Sequence, residues 1–423
     1  MINYNNRPIF ALVDANNFFV SCERLFNPSL RERPVVVLSN NDGCIISRSE
    51  EAKTLGIPMG APLFMYKDII EENNVAVFSS NYQLYGDISQ RIMEFLRSLV
   101  PDIEIYSIDE AFLRLDKLAG IGDILTYAEY VRKSVEQGIG IPLSMGIGPT
   151  KTLAKVASSA AKKRKRNKVF DLREELVQEE VLKEMPVEKI WGAGRRWQKT
   201  LNMLGIITAL DLRQSNPKMI RKKLGVIGER MVLELQGTSC LDLEDLQPRK
   251  NITSSRSFGR GVSALVELEE AVAHYTAKAA VRLRKQGSKA QRIYIFLQTR
   301  SFEERAYSIV KNFLLPTNDS RKLIATAKEA LREIYKPGYL YRKVGVTLLD
   351  LTPEDNGQRS FFNSVYTDEK SKRLMVTLDQ INRSLGREAV FIASQGIHKR
   401  WQMNSGMRSK LFTTSLAELC VVS

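Results

Sequence analysis

The sequence predicts an α+β protein built from several domains, and three observations carry that expectation. At 423 residues the chain is too long for one ordinary core, so three or more modules are expected. Two stretches, beginning near residues 9 and 251, each read as strand, helix, strand, strand, helix, strand. Between them the texture turns helical from about residue 171, with short-helix, loop-rich sequence over 186–237.

In chain order, Ile9-Phe10-Ala11-Leu12-Val13-Asp14 is an apolar strand running into a helix over about 17–26. Short strands follow at 34–39 and 43–48, then a helical stretch at 49–55. Gly56 fits its stop, because glycine accepts the left-handed backbone found there. A strand at 75–80 and a helix over about 82–99, ended near Pro101, lead into 103–115. That segment is apolar on both faces, as expected of a strand pair buried between helices and a cleft. A helix near 121–137, a strand at 142–148 and a basic helix at 150–162 complete a split, ferredoxin-like layer. The second set places strands near 251–258, 291–299, 304–313 and 342–351, with helices near 266–286 and 319–335. Residues 353–357 read as a linker into a polar tail.

Composition narrows the function. Lys and Arg exceed Asp and Glu by 63 to 48, a net charge of +15, and the excess is clustered, which points to a polyanionic partner. The longest apolar runs are strand-length and far short of a membrane span. No signal peptide is evident, so a cytoplasmic location is expected. Cys22, Cys44, Cys240 and Cys420 are scattered and read as reduced thiols. With His274 and His398 the only histidines, a His/Cys zinc site is nearly excluded.

The chemistry centres on Asp14, which ends the first strand, and on Asp109-Glu110, inside 103–115. Three converging carboxylates would repel by roughly 4 kcal/mol per pair at about 4 Å and an effective dielectric near 20. Such a site calls for divalent cations, and two of them suit phosphoryl transfer at a nucleotide. In a regular strand Asp109 and Glu110 point to opposite faces, so both reach one site only where a tight turn or bulge lies. Read singly, Asp14 fits an N-cap better than a catalytic group, and Asp109-Glu110 fits a solvated hairpin turn as well as a metal site. On neighbouring strands of one sheet they read as a metal site, and in so basic a chain as that of a nucleic-acid polymerase.

Other motifs fit a polyanion. Gly146-Ile147-Gly148-Pro149-Thr150-Lys151 leaves a strand and enters a helix, and amides there with a first-turn lysine suit a triphosphate; an ordinary turn is the plain alternative. Residues 151–168 carry eight Lys or Arg and no acid. Trp191-Gly192-Ala193-Gly194-Arg195-Arg196 has helix-hairpin-helix spacing, in which Gly192 and Gly194 allow a tight turn toward a phosphate and Arg195 and Arg196 add charge. Residues 281–300 add six basic side chains, among them Arg282, Arg284, Lys285 and Arg292, as a stripe suited to a duplex backbone.

These residues in this order resemble a Y-family translesion DNA polymerase of the UmuC type, across nearly the whole chain. The resemblance extends to Ser39-Asn40-Asn41-Asp42-Gly43-Cys44, Phe78-Ser79-Ser80-Asn81-Tyr82, Ser254-Ser255-Arg256-Ser257-Phe258-Gly259 and Trp401-Gln402-Met403. It implies a right-hand polymerase: a ferredoxin-like palm (1–33 and 81–170), small fingers (34–80), a helix-hairpin-helix thumb (171–243), a β-α-β-β-α-β little finger (248–352) and a tail (353–423). It implies error-prone, template-directed dNTP addition past damaged bases in the bacterial SOS response, with two Mg²⁺ and no proofreading domain. Asp14, Asp109 and Glu110 then match metal ligands. Phe19, beside Phe18, matches the steric gate against a ribose 2′-OH, and Arg48, Lys53 and Lys151 lie at or near triphosphate positions. Glu50 departs from the pattern, standing where much of the family has a tyrosine. Gln358, Phe361 and Phe362 resemble a sliding-clamp peptide. The expected partners are primer-template DNA, dNTPs, the clamp, a processed UmuD-type accessory homodimer and a recombinase filament, with no membrane. A catalytically silent DNA-binding or checkpoint protein, and a nucleotidyl cyclase, are the alternatives; the cyclase has no use for a helix-hairpin-helix.

Overall fold

The computed structural model describes residues 8–118, 120, 122–164, 168–244, 247–299, 306–354, 365–386, 388–415 and 418–419, with the backbone alone at 365–368. The chain divides into two compact units, one of residues 1–39, 44–246 and 407–423, the other of 40–43 and 247–406.

The first unit runs β1 (Phe10–Ala15), α1 (Phe18–Phe26), β2 (Val35–Leu38), β3 (Ile45–Arg48), α2 (Glu50–Thr54), α3 (Lys67–Glu72), β4 (Ala76–Ser79) and α4 (Tyr82–Leu99). It continues through β5 (Ile103–Ile105), β6 (Glu110–Arg114), α5 (Ile124–Ile139), β7 (Leu143–Gly148), α6 (Lys151–Lys163) and β8 (Val169–Asp171). It closes with α7 (Glu175–Glu184), α8 (Arg195–Met203), α9 (Ala209–Gln214) and α10 (Pro217–Leu235). Five strands form one sheet in the order β5-β6-β1-β7-β8. All six residues of β1 are buried, which is why it reads as an unbroken apolar run rather than an alternation. Ala11, Val13 and Ala15 enter a core with residues of α1, α4 and α5. On the other face Phe10 and Leu12 pack with Phe112 and with Ala154 of α6, and Asp14 shares that face.

Two glycines set how closely α6 lies on this sheet. A Cβ on Gly146 would fall 1.9 Å from the backbone nitrogen of Ser158, and one on Gly148 2.7 Å from that of Ala154. β3, β2 and β4 form a separate small sheet over its own core of Val36, Leu38, Ile45, Ala52 and Ile57. Helices α7 to α10 share a third core, with Leu182, Leu201, Leu212 and Val232 against Val156 and Ala157. The short helix α3 is an element the sequence reading did not place.

The second unit runs β9 (Ile252–Val262), α11 (Leu265–Lys285), β10 (Ser288–Thr299), β11 (Ala306–Thr317), α12 (Ser320–Ile334), β12 (Tyr341–Pro353) and α13 (Val365–Ser384). Its element order repeats that of the first sheet, but the strand order β11-β10-β12-β9 does not, so the two are not copies of one topology. β9 and β11 run to 262 and 317, beyond the expected 258 and 313. The tail differs more. Rather than a polar extension, it supplies α13, whose Met375 is buried, and Trp401, which is 1% exposed among Phe258, His274 and Tyr275. The charged sequence of α13 hides this, because its apolar contacts are few and far apart.

Candidate active site

Asp14 of β1 stands directly opposite Glu110 of β6 in the antiparallel ladder, so both side chains leave the same face of the sheet. Asp109 lies in the turn between β5 and β6, as a shared site requires. The hydroxyl of Ser107 receives the backbone N–H groups of Asp109 and Glu110 at 3.2 and 3.0 Å, and the N–H groups of Tyr106 and Ser107 close back on the Glu110 carbonyl. The Asp109 carbonyl accepts from the Ala15 N–H at 2.9 Å, which fixes the turn against the end of β1. Its carboxylate is turned onto the Ser107 hydroxyl at 2.5 Å. Two of the three carboxylates therefore adjoin, and among the described residues no group of three His, Cys, Asp or Glu is arranged to hold an ion.

Of the adjoining pair, Asp14 is buried and Glu110 half-buried. Asp14 is 5% exposed. Burial, opposed by Lys162 and reinforced by Glu110, pushes its carboxyl up to about 7. Lys162 pairs with Asp14, and Lys155 with Glu110 at 3.1 Å. The Lys155 ammonium also lies 4.1 Å from the ring centre of Tyr106 and 5.1 Å from that of Trp191, whose indole N–H donates to Tyr106. Asp14, Glu110, Lys155, Lys162, Lys189 and Trp191 line one cleft of about 190 Å³. An oxygen-only donor pair, one carboxylate buried and one half-buried, already attracting two cations fits a hard divalent ion such as Mg²⁺.

The lysines correct the reading of the glycine turn. Lys151 does not face the carboxylates; its ammonium is buried over the Phe112 ring and paired with Glu104. The start of α6 is closed to a phosphate, since Thr150 caps it and the buried Glu234 carboxylate takes the Thr152 N–H at 3.1 Å. Gly146 and Gly148 serve the close packing of α6. The lysines that reach the carboxylates are Lys155 and Lys162, four and eleven residues further on and two helical turns apart, and nothing in the sequence set them apart from Lys151.

Asn17, left-handed at φ 47°, turns the chain from β1 into α1 and brings up Phe18 and Phe19. Phe18 is 3% exposed in the core, so it is not a nucleotide contact. Phe19 is half-buried, stacked on Tyr85 with ring centres 4.6 Å apart and edge-on to Tyr82. Glu50 accepts from Asn17 at 3.1 Å and from Lys53, and Lys53 also donates to Asn17 at 2.8 Å. Partial burial opposes the Glu50 charge, but those bonds outweigh it and hold the carboxyl below its usual range. The departure from the family tyrosine is therefore an ion pair that ties α2 to the β1–α1 turn. Arg48 donates to the Ile57 carbonyl.

Of the basic positions, Arg195 and Arg196 are exposed on the first turn of α8, after Gly192 at φ 91° and Gly194 as N-cap. In the second unit Lys285 is exposed, Arg282 donates to the Thr253 carbonyl, and Arg292 pairs with Asp350 on the face of β10 that carries Tyr294 and Phe296. Arg284 is not a DNA contact. It grips Asp379 of α13 with two bonds of 2.7 Å and also donates to Asn318 and Ser320. Gln358, Phe361 and Phe362 lie outside the described residues. Among the described residues no helix is long and apolar enough to cross a membrane.

Residues 13–159 match the impB/mucB/samB family, 249–361 its C-terminal domain, and 372–422 a domain of unknown function (DUF4113). Protein ImpB of Salmonella typhimurium is 42% identical over 97% of this chain and 99% of its own length, and Protein UmuC of the same species is 42% identical with the same coverage. DNA polymerase IV of Oceanobacillus iheyensis is 26% identical over 91% of each. A Y-family DNA polymerase chimera of Dbh and Dpo4 shares the fold with a TM-score of 0.66, at 23% identity, over 82% of this chain and 99% of its own. The chain shares the fold of these polymerases, and it belongs to the impB/mucB/samB family, the UmuC type of Y-family DNA polymerase.

Proposed function

We propose that this chain is a DNA-directed DNA polymerase that extends a primer past damaged template bases, with low accuracy, in the bacterial SOS response. The observation that carries this reading is the pair Asp14 and Glu110, opposed on neighbouring strands beneath Lys162 and Lys155. Asp14 and Glu110, joined from the turn by Asp109, would hold two Mg²⁺. The ions supply the charge that polarises the phosphate and activates the primer 3′-hydroxyl. Lys155 and Lys162, paired with these carboxylates, would be placed to take triphosphate oxygens. Phe19 excludes a 2′-OH. Exposed Arg195 and Arg196, with the amides that open α8, take backbone phosphates without reading sequence, and Arg282, Lys285 and Arg292 extend that track. No proofreading site is assigned.

The same reading assigns Gln358, Phe361 and Phe362 to a sliding clamp, and a processed UmuD-type homodimer and a recombinase filament as activating partners, in the cytoplasm at the nucleoid. Primer extension opposite an abasic site, with Mg²⁺, dNTPs and those partners, tests it. Extension past the lesion is expected. Failure to add any nucleotide even on an undamaged template, with every partner present, overturns it.

A further inference from the structure

We infer that residues 407–412, within the stretch that matches a domain of unknown function, set the position of the sugar-facing Phe19 ring, acting through Ser409, Glu23 and Tyr85. The inference rests on the reading of Phe19 as the steric gate and adds a positioning element behind it.

The connection is short and buried. The Phe19 ring lies nearly parallel to Tyr85, 4.6 Å away at 15°. Tyr85 is fully buried, and its hydroxyl donates to Glu23 Oε1 at 2.6 Å. Glu23 sits one turn after Phe19 on α1 and is 2% exposed. The same oxygen accepts a second bond from Ser409 Oγ at 3.0 Å. Burial pushes the Glu23 carboxyl up, and the two hydroxyls hold it down.

The segment that presents Ser409 is fixed on both sides. The Ser79 N–H donates to the Met407 carbonyl at 3.0 Å, and the Met407 N–H to the Ser79 hydroxyl at 3.0 Å, so the tail pairs beyond the end of β4. Asn81, which caps α4, donates its amide to Ser409 and Lys410 oxygens at 3.0 to 3.3 Å. Phe412 stacks on Phe26 at the end of α1, 4.5 Å apart at 8°.

Physical consequence follows from packing and from the cost of a stripped carboxylate. A buried carboxylate that loses a donor must recruit another or shift toward the one it keeps. Here that is the Tyr85 hydroxyl, and a turn of the Tyr85 ring moves the ring stacked on it, because close-packed interiors transmit displacement. A gate discriminates by whether one oxygen fits against a ring face, so a small tilt of Phe19 alters sugar choice before it alters chemistry.

The test uses the full chain with its activating partners. Insertion of a ribonucleotide and of the matching deoxyribonucleotide is measured opposite one template base for Ser409→Ala, Ser409→Thr, Tyr85→Phe and Phe19→Ala, with a melting curve for each. Ser409→Ala and Tyr85→Phe should raise the ribo-to-deoxy ratio by about two- to tenfold, the loss of one buried hydrogen bond. Ser409→Thr, which keeps the hydroxyl, should restore the parent ratio. If Phe19→Ala raises the ratio and Ser409→Ala leaves it unchanged, or lowers both insertions equally along with the melting temperature, the positioning role is wrong and the gate stands. An unchanged ratio in Phe19→Ala removes the gate and the inference together.

Discussion

Lys162, on the last turn of α6, pairs with Asp14 at the end of β1, seven residues after Lys155 pairs with Glu110. One helix face thus places two ammonium groups over two carboxylates on adjacent strands. Each carboxylate therefore has its own ammonium partner, so the cleft is a paired cluster of charges rather than a bare acidic patch.

The raised Asp14 carboxyl makes this testable through stability. Burial holds it near 7, above the ordinary aspartate value of about 4 in the unfolded chain, so its contribution is present below about pH 4 and lost as pH rises to about 7. Without divalent ions, the difference in stability between the parent and Asp14→Asn should change by roughly 2–4 kcal/mol between pH 4 and pH 8, the parent losing ground as pH rises. Mg²⁺ at pH 8 should stabilise the parent and not the variant, since only a ligand bound by the folded state raises its melting temperature. Equal slopes and equal Mg²⁺ responses would remove Asp14 from the metal site.

Asp109→Ala should abolish nucleotide addition while leaving primer-template affinity within about twofold, because the side chain holds only Ser107 in the present arrangement and makes no core contact. Single-turnover extension and a binding titration check it. Synthesis near the parent rate would show that Asp14 and Glu110 suffice.

The frame of this protein was legible because β1 and β7 are buried on both faces and read as continuous apolar runs, while β10 buries alternate residues and the helices are amphipathic. The turn bearing Asp109 followed from strand geometry alone. What escaped was decided by tertiary contact. Lys151, Lys155 and Lys162 are chemically alike in sequence, and only the tilt of α6 on Gly146 and Gly148 tells which reach the carboxylates. Arg284 looked like one more cation in a basic stripe until Asp379, ninety-five residues away, was found gripping it. Trp401 and Ser409 lie in sequence without a strong period, and their burial comes from surfaces contributed by distant elements.

The two classes of arginine should separate by experiment. Arg195→Ala and Arg196→Ala, at exposed positions, should each reduce the slope of log affinity against log salt by about 0.9 on duplex and leave the melting temperature unchanged. Arg284→Ala should leave the slope alone and cost roughly 1–3 kcal/mol of stability in its own unit, because it takes two charged hydrogen bonds from the half-buried Asp379. A salt-slope change in Arg284→Ala with full stability would reverse the assignment.

Glycine substitutions in and around the sheet should form a graded series that tests whether the position of α6 matters to catalysis. At Gly146 a methyl group would meet backbone atoms of α6 at 1.9, 2.4 and 2.5 Å, and backbone cannot rotate aside. The helix must lift, carrying Lys155 and Lys162 away from Glu110 and Asp14. Overpacking of this kind costs about 1–3 kcal/mol. At Gly148 the closest approach is 2.7 Å, so a smaller shift suffices. Gly86, inside α4, has nothing within 4 Å of its added methyl, and alanine there should stabilise by about 0.5–1 kcal/mol through helix propensity. The expected order of melting temperatures is therefore Gly86→Ala above the parent, then Gly148→Ala, then Gly146→Ala. The KM for dNTP should rise in the same order for the two β7 variants and stay constant for Gly86→Ala. If Gly146→Ala lost stability but kept the parent KM, the lysines would be structural partners of the carboxylates and not part of the nucleotide site.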